Sequence, residues 1–335
     1  GDSVYVNTSS LRYRTSAQIK DNNIAGNLSY GQKLERVGTS GQWTMILLNG
    51  KKYYVSSAYV TSKKPASAGA VQTTSQTAAG AQTSGGTAIA LSSNYKYANY
   101  SKINSGTATL YRSTASNKKN KVVCVNAGHG TNGGGSVKTQ CHPDGSAKVT
   151  GGTTGAGATS AVAVSSGMTF ADGTAESKVT LAMAKVLKTK LLNAGYDVLM
   201  IRELDDVQLD NIARTVIANN NADCHIALHW DSTSSNKGAF FMSVPSNATY
   251  RAMEPVASHW KQHNQLGESL ISGLKSAGVK IYSKGSMEMD LTQTSYSTIP
   301  SVDIELGDKA SDHSGATLET LANGLLAGVN IFFGQ

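Results

Sequence analysis

His129, Glu176, His229 and Glu305 are the residues of this chain whose types can do chemistry together. Two imidazoles and a carboxylate form a His/Glu/His set of the kind that holds a catalytic zinc ion with a fourth position left for water. Glu305 is then a spare carboxylate able to move a proton, which completes the equipment of a hydrolytic site.

Each of the four has to be placed by its surroundings. The apolar run 122–126 reads as a buried strand and ends in Ala127-Gly128-His129-Gly130, so His129 emerges just past the strand's carboxyl end between glycines that permit a tight turn. Glu176 shares a helical face with Val179, Met183, Val186 and Leu187, which aims its carboxylate toward the sheet. A buried, unpaired carboxylate is costly, so it needs a metal ion or an arginine, unless it is a first-turn acid stabilised by the helix N-terminus.

His225 and His229 are four residues apart, the spacing of a helical zinc motif, but Ile226 stands where that motif has Glu and the segment is apolar and strand-like. Along a strand four residues span about 13 Å, too far to share one ion. His229, at the strand end, is the ligand candidate, and His225 reads as a core histidine. Glu305 ends the strand 302–306 and points into the same crevice, as a general base must; Asp303, deeper on the same face, is the second choice.

The elements that carry these residues alternate in type from position 122 onward. Strands are predicted at 122–126, 197–201, 225–229, 239–244 and 302–306, and helices at 176–193, 209–219, 254–277 and 316–331. This order implies an α/β domain with an open, mostly parallel twisted sheet and helices on both faces, in which sites form at strand carboxyl ends. The Gly/Thr/Ser-rich stretch 131–173 is too long for an ordinary connection and reads as functional or mobile.

Residues 1–62 read differently, as short strands broken by turns, with Asn49-Gly50 marking a hairpin. They predict a small all-β barrel. Residues 63–94 contain almost nothing but Ala, Gly, Ser, Thr and Gln, with no aromatic residue, and read as a flexible tether. The second domain is expected to occupy 95–335, opening with a strand at 107–112.

At 335 residues, 39% hydrophobic and 16% charged, the chain suits a globular protein of two domains without a membrane span. Its net charge of +8 favours a polyanionic partner, and residues 1–64 supply +6 of it, nine Lys/Arg against three Asp/Glu. No helix-turn-helix, RNA-binding aromatic or zinc-finger pattern accompanies the charge, so no nucleic-acid partner is expected. Cys124 and Cys224 fall in apolar strands as small buried hydrophobes, and Cys141, beside His142, offers a weak secondary metal contact. The chain opens abruptly at Gly1-Asp2-Ser3, as a mature protein would after removal of an export signal.

Two resemblances add to this reading. Leu11-Arg12-Tyr13-Arg14-Thr15-Ser16, Tyr30-Gly31-Gln32-Lys33, Gly41-Gln42-Trp43, Asn49-Gly50-Lys51 and Ala58-Tyr59-Val60 resemble, in order and spacing, the bacterial SH3-like (SH3b) domain. That resemblance implies a cell-wall-binding module whose basic residues suit anionic wall polymers. In the second domain, Gly128-His129-Gly130, the helix-opening Glu176, Asn193-Ala194-Gly195-Tyr196-Asp197-Val198 with Arg202 and Asp205, and Arg214 with Ala218-Asn219 form the first part of a matching run. It continues through Ala222-Asp223, Leu228-His229, Pro300-Ser301-Val302 and Glu305-Leu306-Gly307, and resembles the zinc-dependent N-acetylmuramoyl-L-alanine amidases of the Amidase_3 type across residues 121–335.

The resemblance implies that His129, Glu176 and His229 bind one Zn2+ and that Glu305 is the catalytic carboxylate. It also implies that the substrate is peptidoglycan, cut between N-acetylmuramic acid and L-alanine of the stem peptide, and that the protein works in the bacterial cell wall. Arg202 and Arg214 match recurring positions and read as structural. Asp231, Thr131 and the length of 131–173 depart from the family pattern. A zinc peptidase acting within the stem peptide, or a wall-binding protein without catalysis, are the alternatives.

Overall fold

The computed structural model describes residues 1–7, 10–18, 20–29, 31–64 and 85–335. Tyr30 of the SH3-like motif and most of the tether, 65–84, lie outside the described residues. The chain forms two compact units, Gly1–Ala78 and Ala79–Gln335.

The described part of the first unit is all-β. Its strands are β1 (Asp2–Val6), β2 (Ser10–Arg14), β3 (Ile24–Ser29), β4 (Lys33–Ser40), β5 (Trp43–Leu48), β6 (Lys51–Ser56) and β7 (Val60–Thr61), in the order β3-β2-β6-β5-β4-β1-β7. All described pairs are antiparallel. Alternation along the strands sends Val4, Val6, Leu11, Leu28, Leu34, Ile46 and Val55 into one cluster. Asn49 and Gly50 both have positive φ and close the two-residue hairpin between Leu48 and Lys51, as the sequence predicts. The sequence gives no sign of β3, because Leu28 alone among its residues is buried.

In the second unit the strands are β8 (Thr87–Ala90), β9 (Thr107–Tyr111), β10 (Val122–Ala127), β11 (Lys138–Gln140), β12 (Ser160–Val162), β13 (Asp197–Met200), β14 (Cys224–Asp231), β15 (Ala239–Ser243), β16 (Ile281–Glu288) and β17 (Ser301–Asp308). The helices are α1 (Glu176–Asn193), α2 (Asn211–Asn221), α3 (Ala248–Ala252), α4 (Val256–Ser276), α5 (Thr292–Tyr296) and α6 (Gly315–Phe333). The main sheet runs β16-β15-β17-β14-β10-β13-β9-β8 among the described residues, and β11 pairs separately with β12.

The sheet keeps the expected parallel centre, β17, β14, β10 and β13, while β15 joins β17, and β9 joins β13, antiparallel. One expectation needs correction. The tether does not reach residue 94, because Thr87–Ala90 pairs with β9 as the sheet's edge. An edge strand is held by backbone bonds and needs little apolar surface, so the uniform small-residue composition conceals it.

Period-2 alternation divides the sheet's two faces. Val123, Val125, Ile226, Leu228, Val302 and Ile304 face α1, α4 and α6 in the main core, while Cys124, Leu199 and Ile201 meet Ala213 and Ile217 of α2. α6 is long and apolar enough by composition to cross a membrane, with mean hydropathy 1.2, and its Leu318, Leu321, Leu325 and Val329 lie in that core. α2 starts two residues later than its apolar pattern suggests because the Asp210 carboxylate caps it, accepting from Ala213 N at 2.8 Å.

Candidate metal centre and cleft

On β14 and β17 the residues not facing the main core include His225, Ala227 and His229, and Asp303 and Glu305. The register pairs His229 with Glu305 and Ala227 with Asp303, so the sheet places imidazole and carboxylate side by side at the carboxyl ends of parallel strands. His129 follows β10, and Glu176 is the first residue of α1 with only 3% of its surface exposed. All four predicted residues therefore come to one crevice.

The backbone around His129 is arranged for close approach. His129 itself takes a left-handed φ of 65°. A side chain on Gly128 would lie 2.2 Å from the His229 ring, and one on Gly167 would meet both His129 and Glu176 under 3 Å. Two buried arginines fix the turn. Arg202 donates to the carbonyls of Ala127, Gly128, Leu204 and Ser177. Arg214 donates to Asn126 Oδ1 and to the carbonyls of Leu209, Ala127 and His129. Burial lowers the Arg214 pKa to about 9, which still leaves it cationic at neutral pH. Thr131, a departure from the family pattern, accepts from Arg214 at 2.9 Å and donates to Val207 O.

Three ligand atoms converge. His129 Nε2 lies 3.0 Å from Glu176 Oε2 and 3.0 Å from His229 Nδ1, and His229 Nδ1 is 3.2 Å from Glu176 Oε1. His129 Nδ1 donates to Ser165 O at 2.8 Å, so its Nε2 presents a lone pair. Glu176 is held by the amides of Met168 and Trp230, at 2.9 and 3.0 Å. Two imidazole nitrogens and a carboxylate facing one another within 4.8 Å form, among the described residues, a group able to hold a metal ion. Their separations are close to the roughly 3.3 Å edge of a tetrahedron with 2.0–2.1 Å bonds.

The electrostatics agree. Burial would raise the Glu176 pKa, yet the imidazoles of His129 and His229 beside it hold it well below the usual carboxylate range. Burial opposes a charge on His229, but Asp303, Glu176 and Glu305 outweigh it and raise its pKa to about 10 in the metal-free protein. Glu305 is pushed well above its ordinary value by burial and by Asp303, and its Oε2 has no partner among the described residues. These are the marks of a site short of one cation.

His225 is the core histidine expected, fully buried, with Nε2 against Asn126. Cys141 is buried and free, and its neighbour His142 bonds to Asp290 and Ser146 rather than joining the metal group. Asp231 pairs with Lys237.

Sequence reasoning missed the supports. Ser165, Met168 and Trp230 act through backbone groups, which leave no residue-type signature. The stretch 131–173 is pinned by Asp290, which accepts from His142, Val149, Thr150 and Lys148. So held, it walls a cavity of about 520 Å³ whose lining includes the four site residues, Met242 and Gln293.

Fold and site thus define an α/β protein with a candidate metal centre and a buried free carboxylate at the strand ends of one cleft. The chain belongs to the N-acetylmuramoyl-L-alanine amidase (Amidase_3) family, whose model matches residues 123–323. It is a peptidoglycan amidase, a hydrolase of the cell wall.

Among solved structures, it is similar to the N-acetylmuramyl-L-alanine amidase Ami1 from Mycobacterium smegmatis, with 19% identity over 65% of this chain and 99% of that one and a TM-score of 0.49. Ami1 from Mycobacterium abscessus, in its apo form, is 20% identical over 64% and 98%, with a TM-score of 0.48. The CwlD amidase from Clostridioides difficile, solved with the GerS lipoprotein, is 18% identical over 64% and 99%, with a TM-score of 0.45. No curated protein is significantly similar to the chain.

Proposed function

We infer that this amidase is a zinc enzyme in which His129, Glu176 and His229 hold one Zn2+ and Glu305 is the catalytic carboxylate. The observation that carries the reading is the convergence of three lone-pair donors at 3.0–3.2 Å beside a buried carboxylate oxygen without a partner among the described residues. A bound zinc ion supplies a Lewis acid for the scissile carbonyl.

The protein's own groups do the rest. The Met168 and Trp230 amides and the Ser165 carbonyl keep Glu176 and His129 from swinging away when the site is empty. Glu305 takes the proton of the attacking water on its free Oε2 and returns it to the leaving amine of L-alanine. Its raised proton affinity suits the return step, and a cation among the three ligands favours its ionised form for the first.

Residues 1–62 act in this reading as an SH3-like wall-binding module, supported by the antiparallel unit found there and by its +6 charge, which suits anionic wall polymers. Residues between it and β8 serve as the tether. The site of action is outside the cell, where peptidoglycan lies, which requires export.

Digestion of purified peptidoglycan by the protein and by Glu305→Ala, with and without chelator, tests this. Mass spectrometry should find stem peptides beginning at L-alanine, lost on chelation and at least ~100-fold slower in the variant. Cleavage between stem residues would move the assignment to a peptidase, and chelator-resistant release would remove the metal. Sedimentation with the same walls, weakened by salt, reports the first unit's binding.

A further inference from the structure

Asp303 has no part in the chemistry above. It sits two residues before Glu305 on β17, opposite Ala227 in the register. The small methyl of Ala227 leaves room for the Asp303 carboxylate to reach the next residue on that face of β14, which is His229. Asp303 Oδ2 lies 3.4 Å from His229 Nε2, its side chain is 14% exposed, and its Oδ1 has no partner among the described residues.

The two nitrogens of His229 therefore face different things. Nδ1 is the atom in the ligand triangle with His129 and Glu176. To give a lone pair to a cation there, the ring must carry its proton on Nε2, the nitrogen that faces Asp303. His129 already has a backbone acceptor for its second nitrogen, Ser165 O at 2.8 Å. For His229, the group placed to do that is a carboxylate. A carboxylate so little exposed, on the same strand face as the buried Glu305, is costly unless a cation lies close by.

We propose that Asp303 is a positioning residue of the metal centre: it accepts the Nε2 proton of His229, fixes the ring's tautomer and rotation, and makes Nδ1 a stronger ligand. This rests on the assignment of His129, Glu176 and His229 as metal ligands. A carboxylate behind a ligating histidine typically contributes a factor of about 10 to 100 in metal affinity.

The test is zinc affinity of the metal-depleted full chain, read by competition with a chromophoric chelator, for the wild type and for Asp303→Asn, Asp303→Ala, Glu305→Gln and His129→Ala. Asp303→Asn, which keeps the shape, should weaken zinc about 10- to 100-fold at unchanged circular dichroism, and Asp303→Ala at least as much. Glu305→Gln also removes a buried carboxylate, yet should stay within about threefold of the wild type. Loading with Co2+ gives a second readout, since the ligand-field bands should shift in Asp303→Asn and not in Glu305→Gln. Unchanged affinity in Asp303→Asn, or an equal loss in Glu305→Gln, overturns the proposal, the latter because charge alone would then explain it. Should His129→Ala bind zinc as the wild type does, the ligand assignment itself fails and takes the proposal with it; Asp303→Asn then carries no blame.

Discussion

Glu305 shows at the scale of one residue what the chemistry costs the fold. Glu305 is 8% exposed, its Oε2 has no partner among the described residues, and it shares its strand face with Asp303. In the metal-free protein His229 offsets its charge only in part. Glu305→Gln should therefore remove the activity and stabilise the metal-free protein, by about 1 kcal/mol or more, since an uncharged isostere gives up no hydrogen bond there. Thermal unfolding of the two chelated proteins measures this; a lower Tm for Glu305→Gln would mean that the carboxylate has a structural partner. The four site residues were legible because each interrupts an apolar pattern at its end. The Asp303 contact was not, since it depends on the register and on the small size of Ala227 across the strand.

Among the elements, the turn after β10 is the one on which the centre depends. Its carbonyls at 127, 128 and 129 point inward and are taken up by Arg202 and Arg214, two guanidinium groups buried at 3% and 0% exposure. Arg214→Met fills the volume but orphans the carbonyl of His129 and Oδ1 of Asn126, a loss of about 3–5 kcal/mol. Zinc affinity should fall with it, because His129 is held by that turn. Urea unfolding together with metal competition checks both, and a variant as stable as the wild type would show that water replaces the guanidinium. β10, β14, β17 and α1, whose apolar runs or helical face are continuous, could be placed from sequence to within a few residues. β16 and α5 could not: the residues of β16 are mostly exposed, and α5 is five residues long. The fold of 131–173 was illegible for a different reason, as its anchor, Asp290, lies about 140 residues further along the chain.

For the whole molecule, the acid limb of stability should carry the signature of two histidines that no mechanism uses. His225 and His263 are buried, and burial pushes both pKa values down to about 3, helped by Arg214 at His225 and by His259 at His263. In the unfolded chain each titrates near 6.5. Between those values the unfolded state binds the proton and the native state does not, so stability is full above about pH 6.5 and is lost as pH falls toward 3. Each group then contributes a slope of about 1.4 kcal/mol per pH unit. The raised carboxyls of Asp303 and Glu305 act in the opposite sense, binding protons in the native state that the unfolded chain releases, so the raw curve mixes both. A difference isolates one histidine. His263→Gln keeps an acceptor for the Ser301 amide, which His263 Nδ1 now receives at 3.0 Å, and cannot titrate. Urea unfolding from pH 7 to 4 should show the wild type losing about 1.4 kcal/mol per pH unit relative to this variant below pH 6. Parallel curves would mean that His263 is protonated in the native state, with an acceptor for its Nε2, which has no partner among the described residues.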